Sequence, residues 1–172
     1  AGADINGRNF KGTLNLNRLN KLTNKTNMLL KFNGQLAADN LDGADQLSLG
    51  GPSGVRAYPS NEGAGDSGFI GSMELKRNIF KNVESTLFYD YGKIKLHKKL
   101  WNNWNITNTA LKNNYHLQGY GVSLGIPIFK SFNINASFAR KISKNSGSDS
   151  KGNDVDGLSL VDRGLISVSG RF

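Results

Sequence analysis

Apolar side chains occupy every second position in several stretches of the chain, which is the pattern of a β-strand with one apolar face. Between Tyr120 and Ile128, five apolar residues alternate with Gly, Ser, Gly and Pro. Seven stretches alternate in this way, and they cover residues 10–17, 28–36, 72–76, 87–92, 120–128, 132–139 and 166–172. No stretch shows a helical repeat of comparable quality. The pattern therefore predicts an all-β chain.

The connections between these stretches alternate in length. Residues 18–26, 79–84 and 129–131 form short links, whereas residues 39–68, 97–115 and 141–163 form long ones. This order predicts an up-and-down antiparallel sheet with its long loops on one side, which is the layout of a bacterial outer-membrane β-barrel. The alternative is a soluble β-sandwich or small closed barrel, in which the same alternation covers an internal core.

Seven strands are too few for a free-standing barrel in a membrane. Bacterial single-chain barrels have even strand numbers from about eight upward, and an open edge in lipid leaves unpaired backbone groups that cost several kcal/mol each. We therefore expect an N-terminal part of the barrel to be missing from these 172 residues. Both chain ends are then expected on the periplasmic side, with Phe172 at the membrane interface.

The composition argues against most enzyme classes. The chain has no Cys and only two His, so thiol catalysis, Cys-based zinc sites and His-dependent triads have almost no residues to use. We expect no catalytic residue, no metal and no cofactor. The mean hydropathy of −0.43 is compatible with a membrane barrel, because only alternate residues face lipid.

The positive charge raises a second possibility. Lys and Arg number 22 against 13 Asp and Glu, a net charge of +9. Trp101 and Trp104 lie among lysines of the expected external loops, an arrangement that could bind single-stranded nucleic acid or anionic lipid headgroups. We expect lipid contact, including lipopolysaccharide, and no nucleic acid.

Residues 44–77 carry the most specific motif, ADQLSLGGPSGVRAYPSNEGAGDSGFIGSMELKR. This block resembles that of the two-partner secretion transporters, the ShlB/FhaC/HecB family, whose pattern is S-L-G-G-P, V-R-G/A-Y, G-E, G-D and E-L-R. The matching residues are Ser48 to Pro52, Val55 to Tyr58, Glu62, Gly65, Asp66 and Glu74 to Arg77. Two positions depart from the pattern, since Asn61 replaces a common glycine and ELKR replaces ELR. The later stretches 88–92, 119–122 and 170–172 also resemble family positions.

The resemblance implies a definite whole protein. Members of this family have an N-terminal plug helix, two periplasmic POTRA domains and a barrel of about sixteen strands. Residues 1–172 would then be the C-terminal part of the barrel, without the POTRA domains and the N-terminal strands. The family's long loop, residues 39–68 here, folds back into the barrel lumen.

The same resemblance supplies the candidate site. Val55, Arg56, Ala57 and Tyr58 would form the tip of the loop inside the lumen, and Gly50, Gly51 and Pro52 the turn that leads into it. The expected counterparts on the barrel wall are Asp90, Phe88 and Glu74. Asp90 points inward by alternation with Leu87, Tyr89 and Tyr91, and an arginine suits bidentate pairing with a carboxylate. A wet lumen is expected to weaken that ion pair.

The expected function is therefore that of a pore in the bacterial outer membrane, which exports an unfolded partner protein. A soluble β-sheet module that binds a glycan or nucleic acid is one alternative, and a passive porin-type channel is another. Extraction from membranes distinguishes the soluble module from the export pore. Whether a secreted partner depends on the protein distinguishes the porin from the export pore.

Overall fold

A computed structural model describes residues 10–80, 82–128 and 131–170. Seven long strands form one antiparallel sheet, and two short strands pair inside a loop. The strands are β1 (Lys11–Lys21), β2 (Thr26–Ala37), β3 (Leu47–Ser48), β4 (Ala64–Gly65), β5 (Ser67–Phe80), β6 (Val83–Lys95), β7 (Asn114–Ile128), β8 (Phe132–Lys141) and β9 (Asp162–Gly170). The predicted all-β class and the seven antiparallel strands are confirmed.

The large sheet follows chain order, β1-β2-β5-β6-β7-β8-β9, so each long strand pairs with the next one along the chain. Within the described residues β1 and β9 are the two ends of this sheet, which is not closed into a barrel. Among those residues no α-helix has the length and apolarity that crossing a membrane would require. Phe172, expected at the interface, lies outside the described residues.

Three long connections emerge from one end of the sheet. We call residues 38–66 the long loop, residues 96–113 the middle loop and residues 142–161 the last loop. The strands extend further than the alternation predicted, so Ser67 and Gly68, which the sequence analysis placed in the long loop, belong to β5. At the opposite end residues 22–25 join β1 to β2, and β5 and β6 are joined around Asn82, whose φ is 70°.

The long loop packs on one face of the sheet, which we call the covered face. Residues directly opposite each other in an antiparallel register share a face, and the register joins Glu74, Phe88, Gly121 and Ala139 in one row of the covered face. The buried hydrophobic core lies between this face and the loop. Its residues are Leu49, Val55, Ala57, Tyr58, Ile70, Phe88, Ile94, Leu96, Tyr115, Leu117 and Ala139.

The other face, which we call the open face, carries large exposed apolar side chains along all seven strands. They include Leu14, Leu16, Phe32, Leu36, Met73, Leu87, Val122, Leu124, Phe138, Ile166 and Val168. Near the end that bears the long loops, four aromatic rings follow one another across four strands. The centroid distances are 5.7 Å for Phe32–Phe69, 6.0 Å for Phe69–Tyr91 and 5.7 Å for Tyr91–His116.

Candidate functional site

The turn into the tip of the long loop is built by Gly50, Gly51 and Pro52. Gly51 has a φ of 103°, a left-handed conformation that an L side chain would strain. Pro52 follows at the second position of a turn that is closed by a 3.0 Å bond from the Gly54 amide to the Gly51 carbonyl. The amides of Gly50 and Gly51 donate to the carbonyls of Glu62 and Tyr58, at 2.9 and 3.1 Å. The turn therefore holds the outgoing and returning halves of the loop together.

Three of the four tip residues are buried against the covered face. Val55 and Ala57 are fully buried and Tyr58 is nearly so. Arg56, between them, extends along the sheet to the polar side chains of β5 and β6. The apolar members of the tip thus provide the burial, and the arginine provides the directional contacts.

Arg56 and Asp90 form a bidentate pair. The guanidinium Nε and Nη2 of Arg56 lie 2.9 and 2.8 Å from the two carboxylate oxygens of Asp90. The backbone amide of Arg56 also donates to Asp90, at 3.1 Å. Ser72 completes the group, since its hydroxyl donates to Asp90 at 2.7 Å and accepts from Arg56 at 3.0 Å. The structure therefore brings together the two residues that the sequence analysis paired, and adds Ser72.

The same guanidinium contacts the two other predicted wall residues. Its Nη1 lies 3.1 Å from Glu74 Oε1, and its central carbon lies 3.5 Å from the ring centroid of Phe88, a cation–π geometry. Lys31 of β2 donates to the same oxygen of Glu74 at 2.9 Å. Glu74 thus pairs with Arg56 of the long loop and with Lys31 of β2.

Burial of the pair is greater than a wet lumen would allow. The side chain of Asp90 is 1% exposed and that of Arg56 is 14% exposed. The expectation of a solvent-weakened ion pair is therefore wrong for the tip, because little of either side chain is exposed and the Phe88 ring covers one face of the guanidinium. Removing one partner of a buried ion pair typically costs about 3–5 kcal/mol, because the other charge is left uncompensated.

A glycine of the wall makes room for the tip. A Cβ added at Gly119 of β7 would lie 2.5 Å from the Cβ of Ala57 and 3.0 Å from the carbonyl oxygen of Arg140. Ala57, where the family pattern allows Gly or Ala, therefore sits directly over a position without a side chain. Gly119 belongs to a stretch that the sequence analysis matched to the family, but nothing in the sequence assigned it this contact.

The base of the long loop is fixed by Asp66, whose side chain is fully buried. Its carboxylate accepts hydrogen bonds from the Leu41 amide at 3.1 Å, from Gln46 at 3.0 Å and from the Lys98 amide at 2.7 Å. Asn40 adds a reciprocal pair of bonds with the backbone of Lys99, at 3.0 and 2.8 Å. The long loop is therefore tied to the middle loop where it meets the sheet.

The two tryptophans that suggested a nucleic-acid surface pack inside the middle loop. Trp101 and Trp104 both contact His97 edge to face, with ring centroids 4.6 and 5.7 Å away. Burial in this cluster lowers the pKa of His97, so its imidazole is neutral near pH 7. Among the described residues no group of three or more His, Cys, Asp or Glu side chains is arranged to hold a metal ion.

The fold and the tip contacts define an all-β protein in which a long loop packs on one face of an antiparallel sheet. Comparison with known proteins gives its family. Residues 4–126 match the family model described as haemolysin secretion/activation protein ShlB/FhaC/HecB. The chain belongs to this family.

Among individual relatives, the chain is similar to the heme/hemopexin transporter protein HuxB of Haemophilus influenzae strains Rd and 86-028NP. Identity is 33% over 118 residues in both comparisons, which cover 66% of this chain and 20% of the relative. The chain thus spans about a fifth of the length of these curated relatives. No solved structure gives a significant match.

Proposed function

We propose that the chain is the C-terminal part of a pore in the bacterial outer membrane, which exports an unfolded partner protein. The observation that carries this proposal is the buried contact of Arg56 with Asp90, made by the motif that characterises a family of secretion proteins. The chemistry is non-covalent: the sheet offers a polar face, and the long loop occupies part of it.

The open face supports insertion in lipid. Its exposed apolar residues form a band. Within the described residues of β1 and β9, the last members of the band away from the long loops are Leu16 and Val168. Following the register across the sheet, Leu16 aligns with Gln118 of β7, and Val168 aligns with Ile126 of the same strand. The band is therefore displaced by eight residues along the strands between the two ends of the sheet.

This displacement corresponds to a strand tilt. Eight residues at about 3.4 Å each span ~27 Å, and the six strand spacings between β1 and β9, at about 4.8 Å each, span ~29 Å. If the band lies level in a bilayer, the strands tilt by roughly 40°, within the range of about 35–45° of membrane barrels. A soluble sheet with one solvent-facing side has no need for an apolar band on that side.

The covered face supports a polar path beside the loop. Polar side chains line it on both sides of Arg56. Towards β1 and β2 they are Asn15, Asn17, Lys31 and Asn33, and towards β9 they are Lys76, Glu84, Thr86, Ser123, Asn135, Ser137 and Ser167. Most of these side chains are uncharged amides and hydroxyls, while Lys31, Lys76 and Glu84 are charged.

The test is export by Arg56→Ala and Asp90→Ala variants of the full-length protein in outer membranes. We expect both to lose at least about tenfold in secreted partner, while the barrel stays inserted and heat-modifiable on gels. Arg56→Ala leaves the buried Asp90 carboxylate without its cation, and Asp90→Ala removes the bidentate partner of Arg56. The matched control is Arg18→Ala, an exposed arginine of β1 that bonds only Asn20 among the described residues. Wild-type export by both tip variants would overturn the proposal.

A further inference from the structure

The long loop has a second attachment, to the last loop. The amide of Val155 in the last loop donates to the Glu62 carboxylate at 2.7 Å. The hydroxyl of Tyr58 donates to the backbone carbonyl of Ser143 at 3.1 Å. The long loop is thus bonded at two points to a segment about 90 residues further along the chain.

The last loop is organised for this contact by Asp154, the neighbour of Val155. Its nearly buried carboxylate accepts from Lys141 at 2.6 Å, from Arg163 at 2.9 Å and from Asn145 at 3.0 Å. These donors come from β8, β9 and the last loop itself, so the chain around Val155 is held in place on several sides. Lys141 also lies 4.8 Å from the ring centroid of Tyr58, which brings the cation over the tip.

A tyrosine of the wall fills the space between the two loops. Atoms of Tyr115 on β7 lie close to both Gly63 of the long loop and Gly147 of the last loop. A Cβ on Gly63 would be 3.1 Å from the Tyr115 hydroxyl, and one on Gly147 would be 2.4 Å from it. The two loops therefore meet over one buried aromatic side chain.

Glu62 is the unusual member of this contact. It is 3% exposed, and within the described residues it forms no salt bridge. Lys141 and Arg163 pair with Asp154 nearby, and the Glu62 carboxylate accepts a hydrogen bond from the Val155 amide. Burial raises the pKa of Glu62. A buried carboxylate without an ion pair is costly, and the hydrogen bond from the Val155 amide offsets part of that cost here.

We propose that the last loop is a clasp that holds the tip of the long loop in its seat from the external side, and that Glu62 is the positioning residue of this clasp. Release of the Glu62 contact would loosen the attachment to the last loop, while Arg56 still holds the tip to the wall and Asp66 still holds the base of the loop. The inference rests on the proposed pore function for its consequence, but the contact itself is tested independently.

The test compares Glu62→Ala, Glu62→Gln and Asp149→Ala in the full-length protein in outer membranes. Trypsin cleavage after Lys144 and Lys151, both exposed in the last loop, reports opening of the clasp, with fragments measured by mass spectrometry. Glu62→Ala should accelerate cleavage after Lys144 by about tenfold, the loss of one hydrogen bond to a charged group. Glu62→Gln keeps an acceptor for the Val155 amide and should be cleaved no faster than the wild type.

Asp149→Ala is the matched control, because Asp149 bonds only within the last loop, to the amides of Lys151 and Asn153 at 2.8 Å. A second measurement records spontaneous channel openings of the purified protein in planar bilayers. Glu62→Ala should raise their frequency several-fold, whereas Asp149→Ala should not.

Three results would overturn the clasp: unchanged cleavage in Glu62→Ala, acceleration by Glu62→Gln equal to that by Glu62→Ala, or equal channel opening in Glu62→Ala and Asp149→Ala. If the wild type neither conducts nor exports, the proposed pore function fails instead, and the cleavage rates alone still decide whether the clasp exists.

Discussion

Arg56 uses its side chain in a way that a lysine would not reproduce. The two edges of one planar group pair with Asp90 and Glu74, while its face lies on the ring of Phe88. A lysine would place one compact charge there and could satisfy only some of these acceptors. The requirement for three simultaneous contacts explains why an arginine occupies this position of the tip.

The contact of Ala57 with Gly119, which we call the seat of the tip, gives a second prediction at the residue scale. Gly119→Ala places a methyl group 2.5 Å from the Cβ of Ala57 and should destabilise the seated loop by about 1–3 kcal/mol through overpacking. Trypsin cleavage within the long and last loops measures the effect.

The double variant Ala57→Gly/Gly119→Ala removes the clash with the loop and should recover most of the protection, although the carbonyl of Arg140 stays close, at 3.0 Å. Equal cleavage rates in the wild type and Gly119→Ala, or no recovery in the double variant, would contradict this account of the seat.

Between elements, the contact of the last loop with the long loop should depend on pH through Glu62. Its pKa is raised in the folded state by burial, so the protonated form is favoured there. The stability that protonation of Glu62 gives to the contact between the two loops is fully present below the ordinary pKa of a glutamate. It is lost as the pH rises through the raised pKa. The clasp should therefore loosen as the pH rises through this raised pKa.

The measurement is the cleavage rate of the wild type divided by that of Glu62→Gln at each pH, which cancels the pH dependence of trypsin. This ratio should rise with pH. The other ionisable groups that face Glu62 are Tyr58, Tyr115, Lys141 and Asp154. Burial raises the pKa of Tyr58 to about 12, so Tyr58 stays neutral throughout, and Lys141 is paired with Asp154. A flat ratio would show that Glu62 does not titrate in the clasp.

The strands were predictable from the sequence, whereas the contacts between loops were not. Alternation repeats every two residues, so a few residues of β6 were enough to assign Asp90 and Leu87 to opposite faces. The position of Arg56 came from a motif, since an arginine in a Gly- and Pro-rich loop is usually solvated. The bond from Val155 to Glu62 joins residues 93 positions apart, and no local pattern marks such a pair.

At the scale of the whole molecule, the sheet has two open edges within the described residues. β1 and β9 each present an edge without a partner strand in the described residues, and in lipid unpaired backbone groups cost several kcal/mol each. Further strands that continue the sheet into a closed barrel would account for the apolar band of the open face. They would also account for the inclination of this band across the strands. The truncation inferred from the strand number thus remains a prediction, with pairing of these two edges as its structural consequence.

The measurement that tests the central claim most directly is a cysteine scan along β8 in outer membranes carrying the full-length protein. The 172 residues contain no cysteine, and positions 133–138 of β8 alternate between the two faces, opposite β9 residues of the same parity. Cysteines at Asn133, Asn135 and Ser137 should react with a water-soluble maleimide. Cysteines at Ile134, Ala136 and Phe138 should resist it and, when labelled with a fluorophore, should be quenched by brominated lipid. Equal reactivity at all six positions, without quenching by lipid, would contradict the account.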